Sequence, residues 1–199
     1  TCSAKEAPDE PCYVEIGFER GVPVSVDGRE LDGVSLIQQL NELAGKHGVG
    51  RIDHLENRLV GIKSREIYEA PAATVLLAAH KALEAMTLSR DQLRFKEKVA
   101  LEYADLIYNG LWFTALHRDL AAYVESSQRH VTGTVRVKLH KGNATVVGRK
   151  SPKSLYSYSL ATYDKEDVFD QSASVGFIHI WGLPVKTQAQ IQGLEGMGE

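Results

Sequence analysis

Apolar and polar residues alternate in three short stretches of the chain, 14–18, 22–26 and 135–139, and this period of two predicts β-strands. Residues 145–147 are expected to form the returning strand after the last of these. Arg20-Gly21 separates the first two strands, Asp27-Gly28 follows them as a second turn, and Lys141-Gly142 separates the last two strands. Short connections of this composition are typical of hairpins. The sequence therefore predicts two antiparallel hairpins, each with one buried face.

Other stretches repeat their apolar residues every three or four positions, which predicts helices. The helices are expected at about 35–44, 71–83, 89–108 and 114–124. Ser35 and Gln38 have the spacing of a capping box, and Gly45 would end that helix. Pro71 suits the first turn of the second helix.

The third and fourth helices carry boundary signals of their own. Ser89 and Gln92 form a second candidate capping box, and Asn109-Gly110 would end the third helix. The fourth helix is expected to start at Thr114.

The order of these elements predicts the fold class. Hairpins separated from a block of helices favour an α+β fold, with an antiparallel sheet built from hairpins and packed with the helices. Residues 177–181 fit either a strand or a buried helical turn, and Pro184 should break that element. We predict one domain over residues 1–184 and a polar, partly mobile tail over 185–199.

Composition limits the class of protein. Of the 199 residues, 43% are hydrophobic and 25% are charged, as in ordinary globular domains. A net charge of −3 disfavours DNA and RNA as partners. The longest apolar run, 70–79, is far shorter than the roughly 20 residues of a membrane span. Cys2 and Cys12 lack metal-site spacing, which favours reduced thiols and a cytoplasmic location.

Several familiar catalytic motifs are missing from the sequence. It contains no GxxxxGK[ST] phosphate loop, no GxSxG elbow and no HExxH pair. We therefore predict no catalytic residue, no metal site and no cofactor for this chain alone.

The most polar part of the chain, 50–71, is expected to be extended. Glu56 and Tyr68 are residue types that hold a free amino acid. A carboxylate accepts hydrogen bonds from the ammonium group, and a phenol can form hydrogen bonds with the polar ends of the molecule. They are twelve positions apart, so they converge only if the chain reverses at Gly61 or at Lys63-Ser64. Taken singly, an ion pair for Glu56 and a half-buried aromatic role for Tyr68 are equally ordinary explanations.

The segment Glu56-Asn57-Arg58, Gly61, Lys63-Ser64-Arg65, Tyr68-Glu69 and Pro71 resembles argininosuccinate synthases. Further matches follow in the same order along the chain. They are 18–24, 40–50, 110–112, 148–151, 154–156 and 170–177. The last of these resembles the start of a C-terminal helical region, which favours helix there.

The resemblance implies a ligase of arginine biosynthesis and the urea cycle, which joins citrulline to aspartate through a citrullyl-adenylate. It implies citrulline contacts for Glu56 and Tyr68. The roles of Asn57, Arg58, Lys63, Ser64 and Arg65 stay open, between supporting contacts and structural ion pairs.

The family's ATP loop and aspartate-binding segment would lie upstream of Thr1, so we expect a piece cut from a longer protein and inactive alone. In the full-length enzyme the resemblance implies ATP with Mg²⁺, and a homotetramer whose C-terminal helices reach a neighbouring subunit. The alternative is a non-catalytic binding or oligomerisation module that retains the scaffold.

Overall fold

The computed structural model describes residues 1–161 and 170–193. The chain divides into two compact units, Thr1–Leu155 and Tyr156–Glu199. The first contains β1 (Cys12–Glu19), β2 (Val22–Val26), β3 (Arg29–Glu30), α1 (Gly33–Lys46), β4 (Arg51–Asn57), β5 (Lys63–Glu69), α2 (Pro71–Thr87), α3 (Arg90–Tyr108), α4 (Ala115–Gln128), β6 (Gly133–His140) and β7 (Asn143–Lys150). The described part of the second contains α5 (Tyr158–Ala161), a short 3₁₀ turn (Gln171–Ala173) and α6 (Ser174–Gln192).

The main sheet has five antiparallel strands in the order β3-β2-β1-β6-β7. Both predicted hairpins are confirmed, and their turns contain the positive φ angles that a tight reversal requires, including 81° at Gly21 and 85° at Gly142. Strand β1 joins the hairpins by pairing with β6, so that Ile16 lies opposite Val135. The predicted α+β class is therefore confirmed.

The core lies between one face of this sheet and helices α1 and α2. Alternate residues of β1 and β6 point into it, as the period of two predicts. Its fully buried members include Val14, Ile16, Val135, Val137 and Leu139 from the sheet, and Leu36, Leu40, Val75, Ala79 and Leu83 from the helices. Burial of this apolar area stabilises the contact between sheet and helices, at roughly 25 cal/mol for each Å².

The predicted boundaries of α1 are wrong at both ends. The N-cap is Asp32, which accepts from the backbone N–H groups of Val34 and Ser35 at 3.0 and 3.1 Å. The Ser35 hydroxyl donates to the same carboxylate at 2.6 Å, and this bond is the main reason that the pKa of Asp32 is lowered. Gly45 lies inside the helix, where its small size suits a buried position, and the positive φ of 74° falls at Gly48.

For the other helices of this unit, the predicted starts and the predicted end of α3 are confirmed, whereas α2 and α4 continue past the predicted ends at 83 and 124, to Thr87 and Gln128. Helix α2 begins at Pro71, and α3 begins with the capping box of Ser89 and Gln92. Asn109 caps the end of α3, and Thr114 is the N-cap of α4.

A buried polar network ties these three helices together. Glu84 of α2 has a side chain that is only 3% exposed, and it accepts from Lys96 of α3 at 2.8 Å. Its other oxygen accepts from the Gln128 amide of α4, also at 2.8 Å. His80 lies 2.9 Å from the Gln128 carbonyl oxygen and 3.7 Å from Glu84. The buried carboxylate is therefore fully paired, as its burial requires.

In the second unit, residues 177–181 form part of helix α6, which agrees with the resemblance. The prediction that Pro184 breaks this element is wrong, because Pro184 lies within the helix. A proline deprives the carbonyl four residues earlier of its partner. No described residue of α6 is buried, so water can bond that carbonyl instead. The boundary at residue 184 and the mobility of the tail stay predictions, and 194–199 lie outside the described residues.

Candidate functional site

The polar segment forms a separate two-stranded sheet, β4 with β5, which confirms that it is extended. The chain reverses over 58–62, where Arg58 N–H donates to the Ile62 carbonyl at 2.8 Å. Gly61 has a φ of 82° in this turn, so the reversal occurs at the first of the two predicted places.

Residues directly opposite each other share one face of a two-stranded sheet, and successive residues alternate between its faces. The glutamate face consists of Ile52, His54, Glu56, Ser64, Glu66 and Tyr68. The arginine face consists of Arg51, Asp53, Leu55, Asn57, Lys63, Arg65, Ile67 and Glu69.

Glu56 and Tyr68 converge on the glutamate face. The Tyr68 hydroxyl donates to Glu56 Oε1 at 2.8 Å, and this bond is the main reason that the pKa of the phenol is raised. Within residues 1–161 and 170–193, no group is seen to donate to the second carboxylate oxygen of Glu56. The ring of His54 meets the Tyr68 ring edge-on, with 6.3 Å between centroids. The two residues predicted to contact citrulline are therefore neighbours.

Ser64 lies directly opposite Glu56 and shares the glutamate face with it. Its hydroxyl oxygen is buried and has no hydrogen-bond partner in the described part of the chain. A buried unpaired hydroxyl is uncommon and points to a missing partner. Of the five supporting candidates, Ser64 is the one whose side chain joins Glu56 and Tyr68.

The other four candidates lie elsewhere on the hairpin. Arg65 forms two bonds with Asp53, at 2.9 and 2.7 Å, on the arginine face. This pairing lowers the pKa of Asp53. Lys63 is exposed on that same face. Asn57 also belongs to that face, and Arg58 lies in the turn.

Asn57 contributes its backbone to the support of the hairpin. Its carbonyl accepts from the Tyr108 hydroxyl, at the end of α3, at 2.7 Å. This bond connects the far end of β4 to the helices.

Sequence reasoning missed two residues that share the glutamate face, His54 and Glu66. Their positions could have been found from the alternation of a strand, because each lies two residues from Glu56 or Tyr68. The missing information was the register, which identifies the opposite pairs.

This face carries groups that can recognise a ligand by hydrogen bonds. Glu56 offers a carboxylate with a free oxygen, and a phenol lies beside it, which suits an ammonium group. Across the described ranges, no group of three or more His, Cys, Asp and Glu residues could hold a metal ion. No described helix is both long and apolar enough to span a bilayer.

Comparison with known proteins decides the family. The sequence model described as the arginosuccinate synthase C-terminal domain matches residues 1–188. This chain belongs to that family. It is 65% identical over 192 residues to the argininosuccinate synthase of Dehalococcoides mccartyi, covering 96% of this chain and 47% of that protein.

Two more argininosuccinate synthases show the same coverage. The chain is 60% identical to that of Rubrobacter xylanophilus over 191 residues, and 62% identical to that of Symbiobacterium thermophilum over 192. These matches cover 96% of this chain, with 47% and 48% of the relatives. The chain thus spans about half the length of its curated relatives.

Proposed function

We propose that this chain is the citrulline-anchoring half of a cytoplasmic ligase that condenses citrulline with aspartate, with AMP and pyrophosphate as the other products. The observation that carries the proposal is the pairing of Glu56 with Tyr68 on one face of a hairpin. Membership of the argininosuccinate synthase family supports the choice of substrates.

The geometry supports a specific role for each residue. The free oxygen of Glu56 would accept from the substrate ammonium, and the Tyr68 hydroxyl holds the carboxylate in position at 2.8 Å. A charge-assisted hydrogen bond of this kind contributes about 1.5–3 kcal/mol. Neither residue acts as a nucleophile, so this half would contribute by positioning the substrate.

We propose that ATP and its Mg²⁺ bind outside the described residues of this chain. The sequence has no phosphate loop, and no metal-binding group of side chains occurs among residues 1–161 and 170–193. We therefore assign nucleotide binding to the part of the full-length protein that corresponds to the half of the relatives not covered by this chain. The chain alone should release no AMP from ATP when citrulline and aspartate are supplied, and measurable AMP release would contradict this assignment.

Glu56→Gln in the intact protein tests the citrulline site. Loss of the charged acceptor should lower kcat/KM for citrulline by roughly 10- to 100-fold. Asp53→Asn is the matched control, because it removes one carboxylate from the same strand but from the arginine face. Unchanged citrulline kinetics in Glu56→Gln would refute the site and favour the non-catalytic module.

The assembly that we propose is a homotetramer, with α6 as part of an interface. Phe177, Ile180 and Trp181 of this helix are each at least 60% exposed, and exposed apolar side chains of this size are typical of contact surfaces. Light scattering of the intact protein should give four times the subunit mass. A monomeric mass would contradict the proposal.

A further inference from the structure

The hairpin separates its charges by face. The glutamate face carries two carboxylates, Glu56 and Glu66, and no lysine or arginine. The arginine face carries Arg51, Lys63 and Arg65. Because successive side chains of a strand point to opposite faces of the sheet, the three cations point away from both glutamates. A ligand on the glutamate face therefore meets an excess of negative charge.

The Glu66 carboxylate has no polar partner among the described residues. No hydrogen bond or ion pair to its carboxylate is seen there, although the residue is half-buried. The other glutamate of the strand, Glu69, lies 3.7 Å from Arg51. A partly buried charge with no partner is costly, so a cation is the expected occupant of the space beside Glu66.

Glu66 is also close to the residues of the proposed citrulline site. Glu56 lies opposite Ser64, so Glu66 is its diagonal neighbour across the strands. Side chains in this relation lie within about 7–8 Å of each other. The pKa of Tyr68 is raised mainly by its hydrogen bond to Glu56, then by burial and by the charge of Glu56. The charge of Glu66 raises it further. The negative charge of Glu66 therefore acts on the residues of the proposed citrulline site.

We propose that Glu66 is a specificity residue of the citrulline site, a second carboxylate that attracts the substrate ammonium alongside Glu56. The inference rests on the proposed function and adds a residue to it. Glu56 makes the direct bond, and Glu66 strengthens the selection of an ammonium-bearing substrate by its charge.

The size of the effect follows from distance and screening. At about 7 Å, Coulomb attraction between unit charges changes affinity about 3-fold with the dielectric constant of water, and about 7-fold with half that value. Glu66→Gln keeps the shape and removes the charge. It should raise the citrulline KM by about 3- to 7-fold and leave kcat within about twofold.

The experiment is steady-state kinetics of the intact protein at pH 8. Glu66→Gln and Glu66→Thr should both raise the citrulline KM. Glu66→Asp, which keeps the charge, should leave KM close to that of the unsubstituted protein. The increase should shrink at 0.5 M KCl, because salt screens the charge. The control is Glu69→Gln, which removes a carboxylate from the same strand but from the arginine face, and it should leave KM unchanged.

The outcomes separate this inference from the proposed function. If Glu56→Gln raises the citrulline KM and both Glu66→Gln and Glu66→Thr leave it unchanged, the inference is refuted and the citrulline site stands. If Glu69→Gln raises KM as much as Glu66→Gln, net charge rather than position is responsible, and the inference is also refuted. If Glu56→Gln has no effect either, the proposed function fails and the inference fails with it.

Discussion

Replacing Lys96 with methionine tests whether the buried polar network holds α2, α3 and α4 together. Methionine keeps the apolar stem of the side chain and removes the ammonium that lies 2.8 Å from Glu84. The Glu84 carboxylate, only 3% exposed, would remain buried without its cation. Loss of one partner from a buried ion pair costs roughly 3–5 kcal/mol.

The structure places the expected loss at the lower end of this range, at about 3 kcal/mol. Gln128 would still donate to Glu84 at 2.8 Å, which keeps one oxygen satisfied. The Lys96 side chain is 29% exposed, so water can enter where the ammonium was. For a chain of 150–250 residues, each kcal/mol lowers Tm by about 2–4 °C, so Tm should fall by about 6–12 °C.

Urea unfolding followed by circular dichroism measures this loss. The midpoint should move to lower urea with an unchanged slope, because the surface exposed on unfolding is the same. Lys98→Met, an exposed position on the same helix, is the control and should change stability by less than about 0.5 kcal/mol. The double variant Glu84→Gln, Lys96→Met should recover much of the loss, since no buried charge remains. A loss below about 0.5 kcal/mol in Lys96→Met would refute the buried network as a source of stability.

Three further predictions concern single positions. Gly50→Ala should strongly lower folding yield, since φ at this residue is 105° and a Cβ would clash with the backbone of Pro71, the first residue of α2. Gly61→Ala, with a φ of 82° and open space around the residue, should cost about 1–2 kcal/mol in urea unfolding. The pKa of Asp32 is lowered on folding, so its contribution to stability is present above the unfolded pKa and is lost as pH falls through the folded one. The stability difference between the protein and Asp32→Ala, measured by thermal unfolding, should therefore shrink below about pH 4. In an ultraviolet titration Tyr68 should ionise above the usual range of tyrosine, and Glu56→Gln should lower its pKa; an unchanged titration would count against the hydrogen bond.

The parts of the fold that the sequence predicted are those set by local chemistry. Ser89 caps α3 because its side-chain oxygen, three residues before the N3 position, can accept from the N3 backbone N–H, and the Gln92 side chain accepts from the Ser89 N–H in return. The start of α1 was not predictable in this way. Asp32 and Ser35 are both good capping residues, and the choice between them depends on how Leu36 and Leu40 reach the core. Strand β3 has only two residues, too few to show any period.

The candidate site likewise has a part that the sequence predicted and a part that it could not predict. The convergence of Glu56 and Tyr68 follows from a reversal at a glycine, which the sequence contains. The bond between Arg65 and Asp53 has the same separation of twelve residues, yet it lies on the opposite face. Composition cannot distinguish the two pairs, because both join an acid to a donor across the hairpin. Only the register of the strands separates them.

The register therefore places Glu56 and Tyr68 on one face of the hairpin and the pair of Arg65 with Asp53 on the other. A shift of one residue between strands would move every side chain of one strand to the other face. Arg65 would then stand beside Glu56, and its guanidinium would compete with a substrate ammonium for the carboxylate. The turn at Gly61 holds the register, with the Arg58 N–H bonded to the Ile62 carbonyl. The chemistry of the candidate site thus depends on the backbone of a turn whose side chains are all exposed.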